Sequence, residues 1–372
     1  MKKIWYTILL LGVTTPLSAQ QAKTVIPKTK ITKTILSHSD VGSKPYLAFP
    51  TVLQADKDHI LVSIKRGTTH GGDMEADFDL LRIHPDNQTI LSHQTLGSIP
   101  SKIFQLTVPL LLPNGNIHFY TDLQYRGIDR KNYRSGMLYA VSKDGGQTVG
   151  PWKKLPLING VEYGYPFDFI VEEKTVYMLA MSFGYRPGET WSVAVLRSTD
   201  GAKTWKFVKN ISKELGDVAI NESGFVRTED GFLVVTRGYP DQETQISRFD
   251  HHFNLVATKN LTGTGELERL IGWPRVFRKD DSIYILGRIF VPGKPHFQLG
   301  LVRVHETSLS IEQITLLDNE DGNLPVKDGY YAGHYWTQKD GATWFNAITY
   351  RSLKSDTYPD IIGVSFPWNE IK

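Results

Sequence analysis

The chain has 372 residues, with 42 lysines and arginines against 39 aspartates and glutamates, a formal charge of only +3 and no cysteine. The absence of cysteine excludes a disulfide framework, a zinc ribbon, an iron–sulfur cluster and a thiol nucleophile. Because the charges are spread without long runs of one sign, the sequence has no basic footprint for nucleic acid. It also has no nucleotide-binding loop and no metal-ligand spacing, so we predict neither a cofactor nor a metal.

The first 19 residues have the three regions of a secretory signal peptide. Two lysines precede an apolar run over residues 4–13, and the small residue Ala19 stands before the expected cleavage site. The run is too short to span a bilayer, which takes about 20 residues, and no other segment resembles a membrane span. We therefore expect cleavage after Ala19 and a secreted or periplasmic protein of residues 20–372.

A unit of about 55 residues repeats six times along the rest of the chain. Each copy has a small or aromatic pair, an apolar strand, a turn with Asp, Asn or Gly, and a second strand. Repeats of this kind are typical of a β-propeller, in which radial repetition leaves only short sheet edges. The sequence predicts an all-β, six-bladed β-propeller in one domain over residues 20–372, with one short helix at 211–215. The anchors of the six copies are Pro50, Pro109, Pro166, Gly224, Pro274 and Ala332.

Two segments, 142–148 and 198–205, carry an S-x-D-x-G-x-T motif, and the second ends in tryptophan. The motif suits a hairpin turn, because its aspartate caps backbone N–H groups and its glycine adopts a positive φ. We predict that these boxes stabilise the fold and take no part in catalysis. Weaker versions occur near Asp86, Asp250 and Glu306.

Equivalent positions of the six copies converge on the mouth of a propeller, so departures from the repeat indicate a site. Glu222 is one departure, because a carboxylate beside an apolar run is costly to bury without a partner. Three copies end their second strand with an arginine: Arg66, Arg237 and Arg288. Three arginines at one level of a ring favour an anion between them, and guanidinium binds carboxylate or sulfate through two hydrogen bonds. The pattern predicts an acidic oligosaccharide or polysaccharide as the ligand.

The segment 68–77 is rich in glycine and titratable groups, which suits close approach to a ligand. His70 and Asp73 within it are both candidate proton donors. Aromatic and histidine side chains near the strand entrances are candidates for contact with sugar rings. They are Tyr165, Trp273, Tyr330, Tyr331 and His334.

The sequence resembles the sialidases, or neuraminidases, which are six-bladed propellers with such Asp boxes, over essentially the whole of residues 20–372. Residues 221–237 resemble the segment in which a glutamate opens a strand and a substrate-binding arginine closes the hairpin. Asp328, Gly329 and Tyr330 resemble the segment of the tyrosine nucleophile. Arg66 followed by Asp73 is similar to the arginine and general acid of the first blade.

The arginine triad of the sialidases has only partial counterparts. Sialidases open the first blade with Arg-Ile-Pro, and this chain has Ala48, Phe49 and Pro50 there. His296 lies near the position expected for the third arginine of the triad, and Arg288 is the other candidate for that arginine. The resemblance therefore leaves the identity of the acidic sugar open.

The resemblance implies a glycoside hydrolase in which Tyr330 attacks the anomeric carbon with Glu222 as its base, an exception to the usual pair of carboxylates. A neutral phenol approaches an anionic sugar without the repulsion that a carboxylate would meet. The resemblance also implies that His70 or Asp73 is the proton donor. It further implies that Arg237, together with Arg66 or Arg288, binds the anion.

Two other functions remain open at this point. One is a polysaccharide lyase, in which arginines neutralise a uronate and a His or Tyr removes the C5 proton. The other is a propeller that binds glycans without cleaving them. We expect a monomer in each case. Candidate bases for the lyase are His70, Tyr125, Tyr165 and His334.

Overall fold

The computed structural model of the protein describes residues 22–182, 191–240 and 242–372. The predicted signal peptide lies outside the described residues. Within them the chain forms six sheets, and the innermost strands of neighbouring sheets contact one another around a complete ring. This arrangement confirms the predicted six-bladed β-propeller.

Each blade has a meander of antiparallel strands whose first strand is innermost. Two strands precede the first blade, β1 (Lys23–Val25) and β2 (Ile31–Leu36). Blade 1 consists of β3 (Tyr46–Gln54), β4 (Ile60–Gly67), β5 (Asp77–Ile83) and β6 (Ile90–Gly97). Blade 2 consists of β7 (Ile103–Leu111), β8 (Ile117–Arg126), β9 (Asn132–Ser142) and β10 (Lys153–Lys154). Blade 3 consists of β11 (Gly164–Glu172), β12 (Thr175–Met181), β13 (Val193–Ser198) and β14 (Lys206–Asn210).

The other three blades continue the same order. Blade 4 consists of β15 (Ile220–Thr228), β16 (Gly231–Gly238), β17 (Thr244–Asp250) and β18 (Leu255–Asn260). Blade 5 has β19 (Gly272–Lys279), β20 (Ser282–Ile289), β21 (Gln298–Val304) and β22 (Ile311–Asp318). Blade 6 has β23 (Val326–Lys339), β24 (Ala342–Leu353) and β25 (Asp360–Pro367).

The ring is closed by strands from opposite ends of the described chain. Strand β2 pairs antiparallel with β25 and supplies the outermost strand of blade 6. Strand β1 pairs in parallel with β22 and adds a fifth strand to blade 5. The last two blades are therefore completed by residues that precede the first blade.

Helical structure among the described residues is short. The helix α1 (Ile211–Glu214) lies where the sequence predicts a helix, and the side chain of Asn210 caps it by accepting from the backbone N–H of Lys213. Two 3-10 turns occupy His38–Asp40 and Trp368–Ile371. No helix in the described part of the chain has the length and apolar character of a membrane span.

The core lies between neighbouring blades, because each sheet is covered on both faces. In β4, Ile60 and Val62 pack in one cluster with Ile348 of blade 6. Leu61, between them in sequence, packs on the other face with Phe119 of blade 2. Such strands are apolar at successive positions, and each large side chain that becomes buried contributes about 1.5–3 kcal/mol.

The Asp boxes form turns between the third and fourth strands of blades 2 and 3. Asp200 Oδ1 accepts from the backbone N–H groups of Lys203 and Thr204, and its Oδ2 accepts from the Thr204 hydroxyl. Asp144 makes the equivalent bonds, and those from Thr148 hold the pKa of Asp144 well below its usual range. Both boxes therefore stabilise hairpins, as the motif predicts.

Candidate functional site

All six innermost strands are bulged at the end that faces a common pocket. A bulge breaks the strict alternation of side chains and redirects a residue, which is why bulges are common beside active sites. Phe49, Tyr165, Trp273 and Tyr330 have φ values of 54°, 35°, 44° and 70°, in the left-handed region that bulky residues rarely adopt. The breaks in register fall at 48–51, 104–106, 164–168, 220–223, 272–275 and 329–332.

These bulges supply most of the lining of one pocket at the centre of the ring. The pocket encloses about 110 Å³, and it measures about 490 Å³ when its open mouth is included. All six blades contribute to it. The lining residues are Phe49, His70, Gln105, Leu106, Arg134, Tyr165, Phe167, Trp191, Asn221, Glu222, Trp273 and Tyr331.

A hydrogen-bonded cluster of Glu222, Tyr331 and Arg237 joins blades 4 and 6 at the pocket. The Tyr331 hydroxyl donates to Glu222 Oε1 at 2.6 Å. Arg237 Nη1 donates to Glu222 Oε2 at 2.8 Å and to the Tyr331 hydroxyl oxygen at 3.1 Å. The backbone N–H of Trp273 donates to Glu222 Oε2 at 2.9 Å, so both carboxylate oxygens are occupied.

The charges in this cluster set the protonation states of its members. Burial alone would raise the pKa of Glu222, but the Arg237 guanidinium and the bonds to Glu222 lower it below its usual value. Burial, together with the nearby Glu222 charge, raises the pKa of Tyr331 far above its usual value. The pair is therefore a neutral phenol bonded to an ionised carboxylate, an arrangement in which the carboxylate could accept the phenolic proton.

Tyr330 does not make the hydrogen bond to Glu222 that the sequence predicts. Its hydroxyl donates to Asp318 at 2.7 Å, and its side chain is fully buried beside Phe297. The bulge between Gly329 and Ala332 separates the two adjacent tyrosines, so that Tyr331 enters the pocket while Tyr330 points into the core. The predicted contact between Tyr330 and Glu222 is wrong by one residue.

Only two of the three predicted arginines converge near the pocket. Arg288 donates to Asp328 at 3.1 Å, and its guanidinium lies 4.8 Å from the centre of the Tyr331 ring. Together with Arg237, it places two cations beside the phenol.

Arg66 points away from the pocket, contrary to the prediction. It binds Asp79 at 2.6 Å and Asp77 at 2.9 Å, and both carboxylates belong to β5, the next strand outward. Arg237 has its carboxylate, Glu222, on the innermost strand of its blade instead. Each arginine therefore points toward the strand that carries its partner carboxylate.

His70 and Asp73, the two candidate proton donors, have opposite environments. The His70 side chain is 55% exposed, lines the pocket and places Nδ1 2.7 Å from Asp328 Oδ2. Asp73 is completely buried in an ion pair with Lys65 at 2.6 Å. Burial alone would raise the pKa of Asp73, but Lys65 and the backbone N–H groups of Thr68 and Thr69 lower it. Asp73 is therefore ionised and outside the pocket lining, which does not fit its predicted role as a proton donor.

The remaining predicted residues divide between the pocket and the core. Tyr165 and Trp273 line the pocket as expected, and Gln124 donates to the Tyr165 hydroxyl at 2.9 Å. His334 lies against Phe277, at 4.0 Å between ring centres, and burial lowers its pKa to about 3.

Two further predicted residues also lie outside the pocket lining. His296 follows β20 and accepts from Gln298 through its carbonyl oxygen. Tyr125 is stacked on Tyr133 in the β8–β9 hairpin, with 5.3 Å between ring centres.

Several pocket residues were missed by the sequence analysis. Gln105 lies at the bulge of β7, four residues before Pro109, the anchor that marks this copy of the repeat. Arg134 lies with its guanidinium 4.5 Å from the centre of the Tyr165 ring and donates to Asp122 at 3.0 Å. The sequence signal for Arg134 is the basic segment 124–134, which has four lysines and arginines and ends at this residue. Among the described residues, no group of three or more His, Asp or Glu side chains could hold a metal ion.

The fold is shared with solved structures of sialidases. The NanB sialidase from Streptococcus pneumoniae matches with a TM-score of 0.61 at 9% identity, over 88% of this chain and 69% of that one. Hadza microbial sialidase Hz136 matches with a TM-score of 0.62 at 12% identity, over 92% and 69%. Trypanosoma rangeli sialidase, in complex with 2,3-difluorosialic acid as a covalent intermediate, matches with a TM-score of 0.53 at 11% identity, over 93% and 57%.

A protein of unknown function from Dyadobacter fermentans DSM 18053 matches with a TM-score of 0.67 at 16% identity, over 90% of this chain and 98% of that one. No protein-family model and no curated protein sequence matches the chain. At these identities the likeness defines the fold, and the fold is a β-propeller of the sialidase type.

Proposed function

We propose that the protein is a glycoside hydrolase of the sialidase type, with Tyr331 as nucleophile and Glu222 as its base. The observation that carries the proposal is the 2.6 Å hydrogen bond from the Tyr331 hydroxyl to an ionised glutamate in the central pocket. As the Tyr331 oxygen attacks the anomeric carbon, Glu222 takes the phenolic proton, so no free phenolate has to exist beforehand. A covalent intermediate on a sialidase-fold neighbour supports a nucleophilic mechanism.

The proposed substrate is a carboxylated or sulfated glycan. Arg237 lies within hydrogen-bond distance of the nucleophile and Arg288 stacks on its ring, while a third cation, Arg134, lines the pocket itself. Guanidinium groups are suited to carboxylate and sulfate. A tyrosine nucleophile also suits an anionic sugar, because the neutral phenol avoids charge repulsion. We further propose that a monomer of residues 20–372 meets this glycan outside the cytoplasm, after export directed by residues 1–19.

The test compares the two adjacent tyrosines, after a screen of sialylated, uronate-rich and sulfated glycans with product masses as the readout. Tyr331→Phe should lower kcat by roughly 10³-fold or more, since it removes the attacking oxygen. Tyr330→Phe should keep turnover and lose stability, because it removes a buried hydrogen bond to Asp318. An intermediate trapped with a fluorinated substrate should map to the peptide that contains Tyr331. Full activity of Tyr331→Phe would refute the assignment.

A lyase is the second candidate, and one observation favours it. His70 bound to Asp328, with Arg288 on the same carboxylate, places a base next to a cation that could neutralise a uronate. Lyase products contain a carbon–carbon double bond conjugated to the carboxylate and absorb in the ultraviolet, whereas hydrolase products do not. Saturable binding of a glycan without any product would instead indicate a binding protein.

A further inference from the structure

We propose that His70, positioned by Asp328, is the group that donates a proton to the leaving oxygen in this pocket. The inference rests on the proposed hydrolase function and decides between His70 and Asp73, the two proton donors that the sequence left open. It follows from the geometry of the loop between β4 and β5, which carries both residues.

His70 and Tyr331 are both neighbours of one aromatic ring, that of Phe49. The Phe49 ring centre is 5.1 Å from that of His70 and 5.8 Å from that of Tyr331, and all three residues line the pocket. In the proposed complex a single sugar rests on Phe49, with its anomeric carbon at Tyr331 and its leaving oxygen at His70. Asp73 cannot replace His70, because both of its oxygens face the protein and its side chain has no exposed surface.

Asp328 fixes the orientation of the His70 ring. Its Oδ2 contacts His70 Nδ1 at 2.7 Å and accepts a hydrogen bond from Tyr46, while its Oδ1 accepts from Tyr350 at 3.0 Å and from Arg288 at 3.1 Å. Although burial alone would raise the pKa of Asp328, the contacts with His70, Arg288 and Tyr46 lower it well below its usual range. An ionised Asp328 holds a proton on Nδ1, so Nε2 is the ring nitrogen left for the substrate.

The backbone at His70 is fixed as well. The carbonyl oxygen of His70 accepts from Lys65 Nζ at 2.8 Å and from Gln105 Nε2 at 3.2 Å. Lys65 also donates to the carbonyl of Thr69 at 3.1 Å and is itself held by Asp73. The buried Lys65–Asp73 pair therefore acts on the loop that presents His70, and the exposed ring is built on an anchored backbone.

These groups account for every proton that is transferred in the reaction. In the first step the Tyr331 oxygen bonds to the anomeric carbon and its proton passes to Glu222. The bond from that carbon to the leaving oxygen breaks, and the oxygen takes the proton from His70 Nε2. In the second step neutral His70 takes a proton from water, the water oxygen bonds to the carbon, and Tyr331 leaves and recovers its proton from Glu222.

The experiment measures His70→Asn on two kinds of substrate with the same sugar. An activated nitrophenyl glycoside needs little help from an acid, whereas a natural glycosidic bond needs protonation. On the natural bond, kcat/KM should fall by roughly 10²–10⁴-fold, and on the nitrophenyl glycoside by less than about 10-fold. Azide, which attacks without a base, should restore turnover of the covalent intermediate and yield a glycosyl azide.

The matched control is His93→Asn, in the outermost strand of the same blade. His93 Nε2 lies 2.7 Å from Asp79, so the control removes another histidine–aspartate contact and should change neither rate. Asp328→Asn should show the same preference for activated substrates as His70→Asn, to a smaller degree, because Asp328 acts through His70. If Asp328→Asn does not fold, the same measurement is made on Tyr46→Phe. This variant removes one hydrogen bond to Asp328 and leaves the Asp328 charge in place.

The outcomes separate the assignment from the proposed function. Equal losses on both substrates, or no loss on the natural one, would overturn the role of His70 and leave the hydrolase function standing. A wild-type protein that cleaves neither substrate nor any glycan of the screen would contradict both.

Discussion

The inside and the outside of the propeller use carboxylates in opposite ways. Near the pocket, Asp73, Glu222 and Asp328 are shielded from water and bind the side chains of cations and phenols. On the outer turns, Asp144 and Asp200 are exposed and bind backbone N–H groups of their own hairpins. An outer carboxylate completes a local turn, whereas Glu222 and Asp328 bind residues that are 109 and 258 positions away in sequence. Asp73 is intermediate, because its buried ion pair with Lys65 lies within its own hairpin.

The difference shows where a change should affect chemistry and where it should affect only folding. A buried charge that loses its partner is costly, because the remaining charge stays out of water. An exposed turn that loses its cap can be satisfied by solvent at a smaller cost.

Among the carboxylates and their partners, the largest expected effect is that of Glu222→Gln on turnover. The variant keeps the shape of the side chain but cannot take the proton of Tyr331, so kcat should fall by roughly 10²–10⁴-fold. The control is Glu172→Gln, which breaks an ion pair of 3.0 Å with Arg227 on the surface and should leave kcat unchanged. The measurement is kcat of both variants and of the wild type on the substrate that the screen identifies. If kcat of Glu222→Gln were within a factor of two of the wild-type value, Glu222 would not be the base.

The next effect is that of Lys65→Met on stability. It leaves Asp73 buried without its cation, and breaking a buried ion pair costs about 3–5 kcal/mol. Urea unfolding at neutral pH measures the loss, and Lys65→Met combined with Asp73→Asn should recover part of it. A loss of unfolding free energy below about 1 kcal/mol would contradict this prediction, because it is the value expected for an exposed ion pair.

The same pair predicts how the loss depends on pH. In the wild type the pKa of Asp73 lies below its ordinary value of 3.8, so the stability it contributes is present above about pH 4 and is lost below it. In Lys65→Met the cation is gone, and burial favours the protonated form of Asp73. The difference in unfolding free energy between the two proteins should therefore shrink as the pH falls from 7 to about 4.

The smallest effect is expected at the outer rim, for Asp200→Ala. The change removes the capping bonds to the backbone of Lys203 and Thr204, which should cost about 1–2 kcal/mol. Because the turn is outside the pocket lining, kcat should stay unchanged. A drop in kcat at temperatures where the variant is fully folded would contradict the division between rim and pocket.

The fold was predictable because its determinants are local and repeated. The spacing of the six anchors gave the number of blades, and the polar box around Asp200 gave a hairpin whose bonds all lie within seven residues. The capped helix at Ile211–Glu214 is local as well. The hairpin box and the helix form from neighbours in the chain, so one copy of each is enough to recognise it, whereas the number of blades needs the repeat.

The site was only partly predictable, because its orientations depend on bulges and on partners from other blades. In an extended strand a shift of one residue moves a side chain to the opposite face, and this shift separates Tyr331 from Tyr330. Arg66 and Arg237 end equivalent strands, yet carboxylates on different neighbouring strands turn them in opposite directions. Nothing in the sequence near His70 indicates Asp328 as its partner, since the two are 258 residues apart.

The closure of the ring has a consequence for the order in which the protein can fold. Strand β2 precedes every complete blade in sequence, yet its partner β25 is the last strand of the described chain. During synthesis β2 must stay unpaired until β25 has been made, so the outer edge of blade 6 is the last part of the ring to form. Contacts of such long sequence separation slow folding, and an unpaired edge strand is open to pairing with other chains. Between the appearance of β2 and that of β25, the edge of β2 is therefore open to pairing with another chain.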